Sequence, residues 1–428
     1  MSSRPQPIPF DDALQRLLAQ ATAPATSETV PTLAADGRVL AADLRSTLDV
    51  PAWDNSQMDG YAVRAAELAA PLDLAGPAGL FPVSQRIAAG QQGGPLAAGT
   101  VARIFTGAAL PAGADAVVMQ EQASADGDRV RFSHRPEPGE WVRRTGEDIH
   151  AGAVILAAGT RLTPQAAGLA ASIGAATLPV VPRLRVACFF TGDELVMPGE
   201  PLAPGAIYNS NRFVLTALLA RLGCTVTDLG IVGDSLAATR AALRSAAASD
   251  LIITSGGVSV GEEDHVKPAV QAEGELDLWQ IAIKPGKPFA YGRVRRGVAP
   301  AGAAPAGGVA AAPGFAHFVG LPGNPVSSLV TFMMLVRPFI LALQGVRRTA
   351  PTALPLVADF DWPKPDRRRE FLRASLDPAS GALRLFGHQG SAVLTSTVIG
   401  DGVIDNPPGH AIRRGDVVRY LPFSELLN

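Results

Sequence analysis

The spacing of apolar positions gives the first outline of the chain. Phe10, Leu14, Leu17 and Leu18 recur at helical spacing, with Asp11 and Asp12 in the first turn, so the chain opens on a helix. After Pro24 the pattern changes to short β-like runs broken by turns. Val101 to Phe105 and Ala116 to Met119 read as two such strands, with Thr106-Gly107 and Pro111-Ala112-Gly113 as turns between them. Thr163-Pro164 starts a helix as an N-cap followed by proline at the first helical position, and Gly174 ends it. Pro179 and Pro182 then read as a hinge.

From Arg183 strand and helix patterns alternate. Leu184 to Phe190 is almost continuously apolar, as a strand covered on both faces must be. Ser210 caps a helix carrying Phe213, Leu215, Leu218, Leu219 and Leu222, closed by Gly223. Thr225 to Val232 is strand-like, and Asp234 or Ser235 caps an alanine-rich helix to Ala248. Leu251, Ile252 and Ile253 are a third strand. This order predicts a mostly parallel sheet with helices on both faces. Trp279 to Ile283 adds a strand, and Val326 to Leu343 a helix. The helix is interrupted at Arg337-Pro338, and its most apolar part, from about Leu329, is too short to cross a bilayer. Beyond Gly345 the pattern is short strands and turns.

The expected architecture is therefore multi-domain α/β plus β. Residues 1–180 form a mixed N-terminal region of two intertwined subdomains, 181–345 a central mostly parallel α/β domain, and 346–428 a small C-terminal β domain. Between Gly297 and Gly314 every residue is Gly, Ala, Pro or Val, which predicts a flexible insert.

Composition narrows the classes. Of 428 residues 47% are hydrophobic and 18% charged, ample for buried cores and unlike a disordered chain. Lys plus Arg is 37 against Asp plus Glu 39, so nothing electrostatic points to nucleic acid. Cys188 and Cys224 lie in apolar runs without metal-site spacing and read as buried free thiols. The N-terminus lacks the apolar core of a signal peptide, so a cytoplasmic protein with no membrane partner is expected.

Candidate chemistry gathers where the strands end. Ligands of such sheets bind at the carboxyl ends of the strands. Three loops fall there: Thr191 to Glu194, Gly233-Asp234, and Ser255 to Asp264. In the third, Gly256 and Gly257 let the backbone approach a ligand, and their N–H groups, with the hydroxyls of Ser255 and Ser259, could cradle an anion. Glu262, Glu263 and Asp264 follow, and acids beside phosphate donors fit together when a divalent cation bridges them. The plainer alternative is that the glycines only turn the chain and the acids only cap the next helix. The strand-end rule gathers Glu194, Asp234 and Asp264 on one rim.

Lys284-Pro285-Gly286-Lys287-Pro288 adds two compact positive charges in a proline-stiffened turn, suited to an oxyanion or to plain solvation. In the N-terminal region Asp54, Asn55, Ser56 and Asp59 crowd beside Trp53, Met58 and Tyr61, and Thr106 is a small hydroxyl at a strand end. Turn formation alone accounts for Asp-Asn-Ser and Asp-Gly, though not for the convergence of polar and aromatic groups.

These segments together resemble one family. DNSQMDGYA, RIFTGA, GADAVVMQE, RRTGEDI, TGDEL, NSNR, SGGVSVGEEDHVK, AIKPGKPFAYG, GLPGNPVSSLVTF and GHQGS occur in the order seen in the MoeA family of molybdopterin molybdotransferases, related to the gephyrin E domain. The resemblance spans nearly the whole chain. It implies insertion of molybdate into adenylylated molybdopterin with release of AMP, assisted by Mg²⁺. It implies a homodimer with active sites between subunits, the loop carrying Asp59 and the strand end at Thr106 meeting the partner's α/β domain. The molybdopterin adenylyltransferase is a candidate partner.

By motif match, Asp59, Thr106, Glu194, Asp234, Asp264, Lys284 and Lys287 form the catalytic set, with Glu194 and Asp264 on the metal. Ser255, Gly256, Gly257 and Ser259 surround the phosphates, with Pro285, Pro288 and Asn324 in the same binding set. Arg373 and Ser391 belong to the molybdate pocket. Two positions depart from the family pattern: Asn209 stands where Asp is usual, removing a charge from a cation's surroundings, and His265 stands where Tyr is usual. Two other readings are an adenylyltransferase acting on molybdopterin and a non-enzymatic scaffold. The long N-terminal region and C-terminal β domain argue against the first. The lack of a disordered linker and fused second enzyme domain argues against the other.

Overall fold

The computed structural model of the chain describes residues 7–68, 79–258, 265–296 and 314–427. Ser259, Asp264 with its neighbouring acids, and the insert up to residue 313 lie outside the described residues. The chain separates into two compact units, one of Met1–Ala42, Ala158–Thr163 and Thr177–Asn428, the other of Asp43–Ala157 and Pro164–Ala176.

The first unit is built on a six-stranded sheet. Its strands are β1 (Arg185–Thr191), β2 (Thr225–Val232), β3 (Leu251–Ser255), β4 (Gly274–Gln280), β5 (Pro288–Arg295) and β6 (Phe315–Leu321), in the order β2-β1-β3-β6-β5-β4. The first four in that order are parallel; β5 runs antiparallel to both β6 and β4. The apolar run in β1 follows from its position. Val186, Cys188 and Phe190 enter one core with Leu251 and Ile253 of β3, while Ala187 and Phe189 enter another with Ile252. Both faces are thus buried, and alternate residues serve different cores.

Helix α1 (Ser210–Arg221) packs Leu215, Leu218 and Leu219 into the first core. Helices α2 (Leu236–Ala246) and α3 (Val266–Glu273) cover the other face through Leu243, Ala246, Val266, Ala269 and Val270. Ser235 caps α2, its hydroxyl accepting from Ala238 N–H. Cys188 and Cys224 are buried and free, and burial pushes each thiol up to about 12, so neither is a reactive thiolate.

Three expectations need correction. Residue Asn209, not Ser210, caps α1, because its carboxamide oxygen reaches Arg212 N–H while Ser210 is already helical. Pro179 lies within a strand, Thr177–Val180, which pairs antiparallel with Glu28–Pro31; an edge strand tolerates the missing N–H, so this stretch is not a simple hinge. The helix at Pro325–Leu343 runs through Arg337-Pro338 as α4 (Pro325–Thr331), a π-helical turn (Phe332–Val336) and α5 (Arg337–Leu343). The π turn accommodates the proline that would otherwise break the ladder. At 19 residues the helix is long and apolar enough to cross a bilayer, but it is almost wholly buried in the protein core.

Beyond it, a second sheet orders Ile283–Lys284, Arg369–Leu376, Gly402–Asn406, Val417–Pro422 and Leu354–Val357. Its first strand comes from the lysine turn, pairing in parallel with Arg369 and Glu370, so the expected strand to Ile283 is divided between two sheets.

In the second unit, a six-stranded sheet orders Ala116–Met119, Gly60–Val63, Val101–Ile104, Phe81–Ile87, Arg129–Phe132 and Ala123–Asp126. Gly60–Val63 pairs antiparallel with both Ala116–Met119 and Val101–Ile104. Gly60 has to be glycine: a Cβ there would stand 2.0 Å from Val118 O.

Candidate active site

A cleft of about 770 Å³ opens at the carboxyl ends of β1, β3 and β6, against the first turn of α1. In sheet order β2 and β3 lie on opposite sides of β1, so this is the switch point where an open α/β sheet leaves a crevice. The lining includes Thr191, Glu194, Asn209, Asn211, Asp234 and Gly257.

The glycine loop is forced by close approach. Gly256 has φ +99° and Gly257 φ +63°. A Cβ on Gly256 would stand 2.4 Å from Thr191 O, and one on Gly257 2.5 Å from Val266 Cγ2. The expected cradle is only partly available. The Gly256 N–H donates to Leu321 O at 3.1 Å, whereas Gly257 N–H has no acceptor among the described residues. The Ser255 hydroxyl is also committed: it donates to Pro322 O at 3.0 Å and accepts from Asn211 Nδ2 at 2.8 Å, and Ser255 is buried. Ser255 borders the cleft, but its hydroxyl is spent on joining Asn211 of α1 to the turn after β6.

Glu194 and Asp234 are exposed on the rim, as the strand-end rule expects. The loops carrying them exchange two bonds: Asp234 N–H donates to Asp193 Oδ1 at 3.0 Å, and Asp193 N–H to Asp234 Oδ2 at 3.2 Å. Gly192, at φ +146°, lets Glu194 fold back; a Cβ there would lie 2.6 Å from Glu194 Oε2. Among the described residues no three Asp, Glu, His or Cys side chains form a ready metal cluster. Asn209 is buried, its Oδ1 accepts from Arg212 N–H at 3.2 Å, and its Nδ2 has no partner among the described residues.

The two lysines of the stiffened turn differ. Lys284 Nζ donates to Glu370 Oε1 at 3.1 Å and lies 3.6 Å from Asp366 Oδ2. Glu370 is wholly buried, so its carboxylate requires that counter-charge; Trp362 Nε1 also donates to it at 2.9 Å. Lys287 is exposed and has no ion pair among the described residues. Pro285 is buried, while Pro288 and Asn324 line the cleft. Gly286, between the lysines, sits against α4, where a Cβ would be 2.3 Å from Thr331 Oγ1.

Arg373 is 1% exposed, yet no carboxylate pairs with it among the described residues. Its guanidinium donates to Ser396 Oγ at 3.2 Å, Phe371 O at 3.2 Å and Gly390 O at 3.1 Å. Burial pushes it down to about 10, which leaves it charged at neutral pH. Gln389 clamps the same loop, accepting from Arg373 N–H and donating to Arg373 O, each at 2.9 Å. Ser391 O accepts from Val326 N–H at 3.0 Å, and the next residue, Ala392, lines the cleft. The loop held by Arg373 therefore adjoins the cleft, a juxtaposition visible in the sequence only as two short motifs.

In the second unit, Asp59 precedes Gly60–Val63 and Thr106 follows Val101–Ile104 at the same end of neighbouring antiparallel strands. The Thr106 backbone N–H and the bond it makes to Asp59, with the hydroxyl's bond, hold the Asp59 carboxyl below its usual range.

Sequence reasoning did not single out Asn211 or Ser327 of the cleft, nor Glu370 and Asp366 beside Lys284. Asn211 stood in the quoted NSNR motif, but its partners lie in loops far along the chain, and spacing carries no sign of them.

Comparison with known proteins follows the same segments. Residues 8–174 match the MoeA N-terminal region (domain I and II), 187–342 a probable molybdopterin binding domain, and 355–423 the MoeA C-terminal region (domain IV). A Haemophilus influenzae protein named molybdopterin molybdenumtransferase is 38% identical over 431 residues, covering 98% of this chain and 100% of that protein. A Bacillus subtilis protein of the same name is 33% identical, covering 99% of this chain and 96% of its own. The crystal structure of the molybdopterin biosynthesis moeA protein of Pyrococcus horikoshii OT3 superposes with a TM-score of 0.80 at 25% identity, covering 97% of this chain and all of that one.

Proposed function

The chain belongs to the MoeA family of molybdenum cofactor biosynthesis, and on that premise we propose that it inserts molybdate into adenylylated molybdopterin with release of AMP. The observation carrying this reading is the cleft at the switch point of the sheet, where a glycine loop and the carboxylates of Glu194 and Asp234 face one space. A pyrophosphate-linked substrate suits that combination. The Gly257 N–H and the first turn of α1 offer donors to phosphate oxygens.

The rim carboxylates fit Mg²⁺ in kind. The ion takes hard oxygen ligands and is commonly held by one or two carboxylates with substrate phosphates completing its shell. Glu194 is the described residue for this task, with Asp264 as its expected companion from the acidic loop. When bound, Mg²⁺ neutralises charge on the pyrophosphate.

Molybdate, a dianionic substrate, is drawn by the exposed charge of Lys287, which has no ion pair among the described residues, and by the buried guanidinium of Arg373 behind Ser391. Lys284 holds the turn in place through Glu370 while adding positive charge to it. Asp59, Thr106 and Asp234 complete the set.

The protein acts as a homodimer in this proposal, the Asp59 loop of one chain serving the cleft of the other. Mixed Asp59→Ala and Glu194→Ala chains should then regain activity on subunit exchange, since one site per heterodimer keeps both acids. Demonstrated heterodimers that stay inactive would overturn that arrangement. The reaction itself is tested by AMP release from adenylylated molybdopterin with and without molybdate. AMP release with formation of active cofactor supports the reading, whereas consumption of ATP to make adenylylated molybdopterin would replace it with an adenylyltransferase.

A further inference from the structure

Asn211 sits in the first turn of α1 and lines the cleft. Its carboxamide spends both hydrogens on other loops. Nδ2 donates to Ser255 Oγ at 2.8 Å and to Gly323 O at 2.7 Å. The carbonyl of Gly323 can only accept, so the amide orientation follows from chemistry. Ser255 relays the connection by donating its own hydroxyl proton to Pro322 O at 3.0 Å. One step along the chain, Gly256 N–H donates to Leu321 O at 3.1 Å.

These bonds join the helix start, the end of β3 and the turn between β6 and α4. They meet at Ser255, which is 2% exposed and immediately precedes the two glycines in the left-handed region. A glycine pair has little intrinsic preference for one conformation, so its direction has to be set by what holds its ends. On the N-terminal side that hold is Ser255, and the Ser255 hydroxyl is itself held by Asn211.

We propose that Asn211 is a positioning residue: through Ser255 it fixes where the Gly256-Gly257 loop presents its N–H groups to the substrate's phosphates. This rests on the substrate class proposed above, though its structural part does not. Without the carboxamide, Ser255 is held only by Pro322 O at 3.0 Å and the longer contact to Ser328 Oγ at 3.5 Å, Gly323 O loses its donor, and the loop samples a wider range of orientations for Gly257 N–H. The loss falls on binding of the phosphate-bearing substrate more than on the chemical step.

The test uses the full chain with Asn211→Ala, Ser255→Ala and the double variant. Hydrogen exchange of peptides covering residues 251–258 and 321–325 is read without any substrate. Asn211→Ala should exchange there about tenfold faster, while the rest of the molecule and its melting temperature change little. With adenylylated molybdopterin, KM should rise about tenfold or more and kcat by contrast fall less than about threefold. The double variant should be no worse than the poorer single one, because the two residues act in series. A fall in melting temperature with unchanged KM would make Asn211 merely structural and overturn the proposal. So would unchanged exchange in the glycine loop, or strictly additive effects. If the wild-type chain releases no AMP, the proposed reaction fails, while the exchange measurement still decides whether Asn211 holds the loop.

Discussion

Asp59 Oδ1 accepts two hydrogen bonds from Thr106, from the backbone N–H and from the hydroxyl, each at 2.8 Å. One oxygen of the carboxylate is thereby occupied and the charged form is favoured, with Arg103 adding a smaller attraction. Asp59 is thus ionised throughout the neutral range. A pH profile of kcat/KM should contain no acid limb near pH 6 that disappears in Asp59→Asn. Thr106→Val, which keeps the N–H and removes the hydroxyl, should lower kcat/KM about tenfold without unfolding. Such a limb, or a fully active Thr106→Val chain, would sink this account.

Arg373 supplies a second expectation. A buried guanidinium whose partners among the described residues are all neutral is costly to the fold, so its removal should cost little stability. Arg373→Met should melt within a few degrees of wild type, or higher, while the molybdate concentration needed for half-maximal rate rises at least about tenfold. A large loss of stability with an unchanged molybdate requirement would make Arg373 a scaffold residue.

The Asp366–Arg368 pair predicts a pH dependence of stability. Arg368 donates to both carboxylate oxygens, at 3.0 and 2.8 Å, and its backbone N–H donates to Oδ1 at 3.0 Å. The side-chain bonds from Arg368 hold the Asp366 carboxyl far below its ordinary 3.8, against a smaller effect of burial. A depressed folded value contributes stability that is present above the unfolded value and lost as pH falls through the folded one. Asp366→Asn should therefore be less stable than wild type between pH 5 and 8, by about 1 kcal/mol for a pair whose side chains are 29% and 19% exposed. The difference should shrink steadily below about pH 4. Chemical denaturation across this range is the measurement, and a gap that grows on acidification would contradict the sign.

Asn209 gives the fourth. Asn209→Asp keeps the oxygen that caps α1 and replaces Nδ2, which has no partner among the described residues, with a charged oxygen near the cleft. If Mg²⁺ is held at this rim, the concentration for half-maximal AMP release should fall about threefold to tenfold. An unchanged or raised Mg²⁺ requirement would separate Asn209 from the cation.

The sheet was legible in the sequence because burial on both faces leaves a plain trace: Val186 to Phe190 and Leu251 to Ile253 are apolar at every position. The strand-end rule then located Glu194 and Asp234 correctly on the cleft, since it needs only strand order and direction. What the sequence concealed depends on partners distant along the chain. Lys284 looks like a free cation until Glu370, 86 residues later, is seen buried beneath it. Ser255 looks like an anion ligand until Asn211 and Pro322 claim its hydroxyl. Arg373 comes shortly after Arg367, Arg368 and Arg369, and nothing in that run marks it as the buried one; its place in the strand register does. Pro338 looked like a helix stop because local geometry cannot foresee a π turn absorbing it.

The helix from Pro325 to Leu343 has a consequence for how the chain must be made. By length and composition alone it is a stretch that could cross a bilayer, and in the fold it is core. Its protection is the order of synthesis. All six strands β1 to β6, and α1 that packs on the same face, leave the ribosome before it does. The surface that receives Phe332, Leu335 and Phe339 is therefore largely made when they emerge, and a nascent chain delayed in assembling that sheet would expose its stickiest stretch at the last moment.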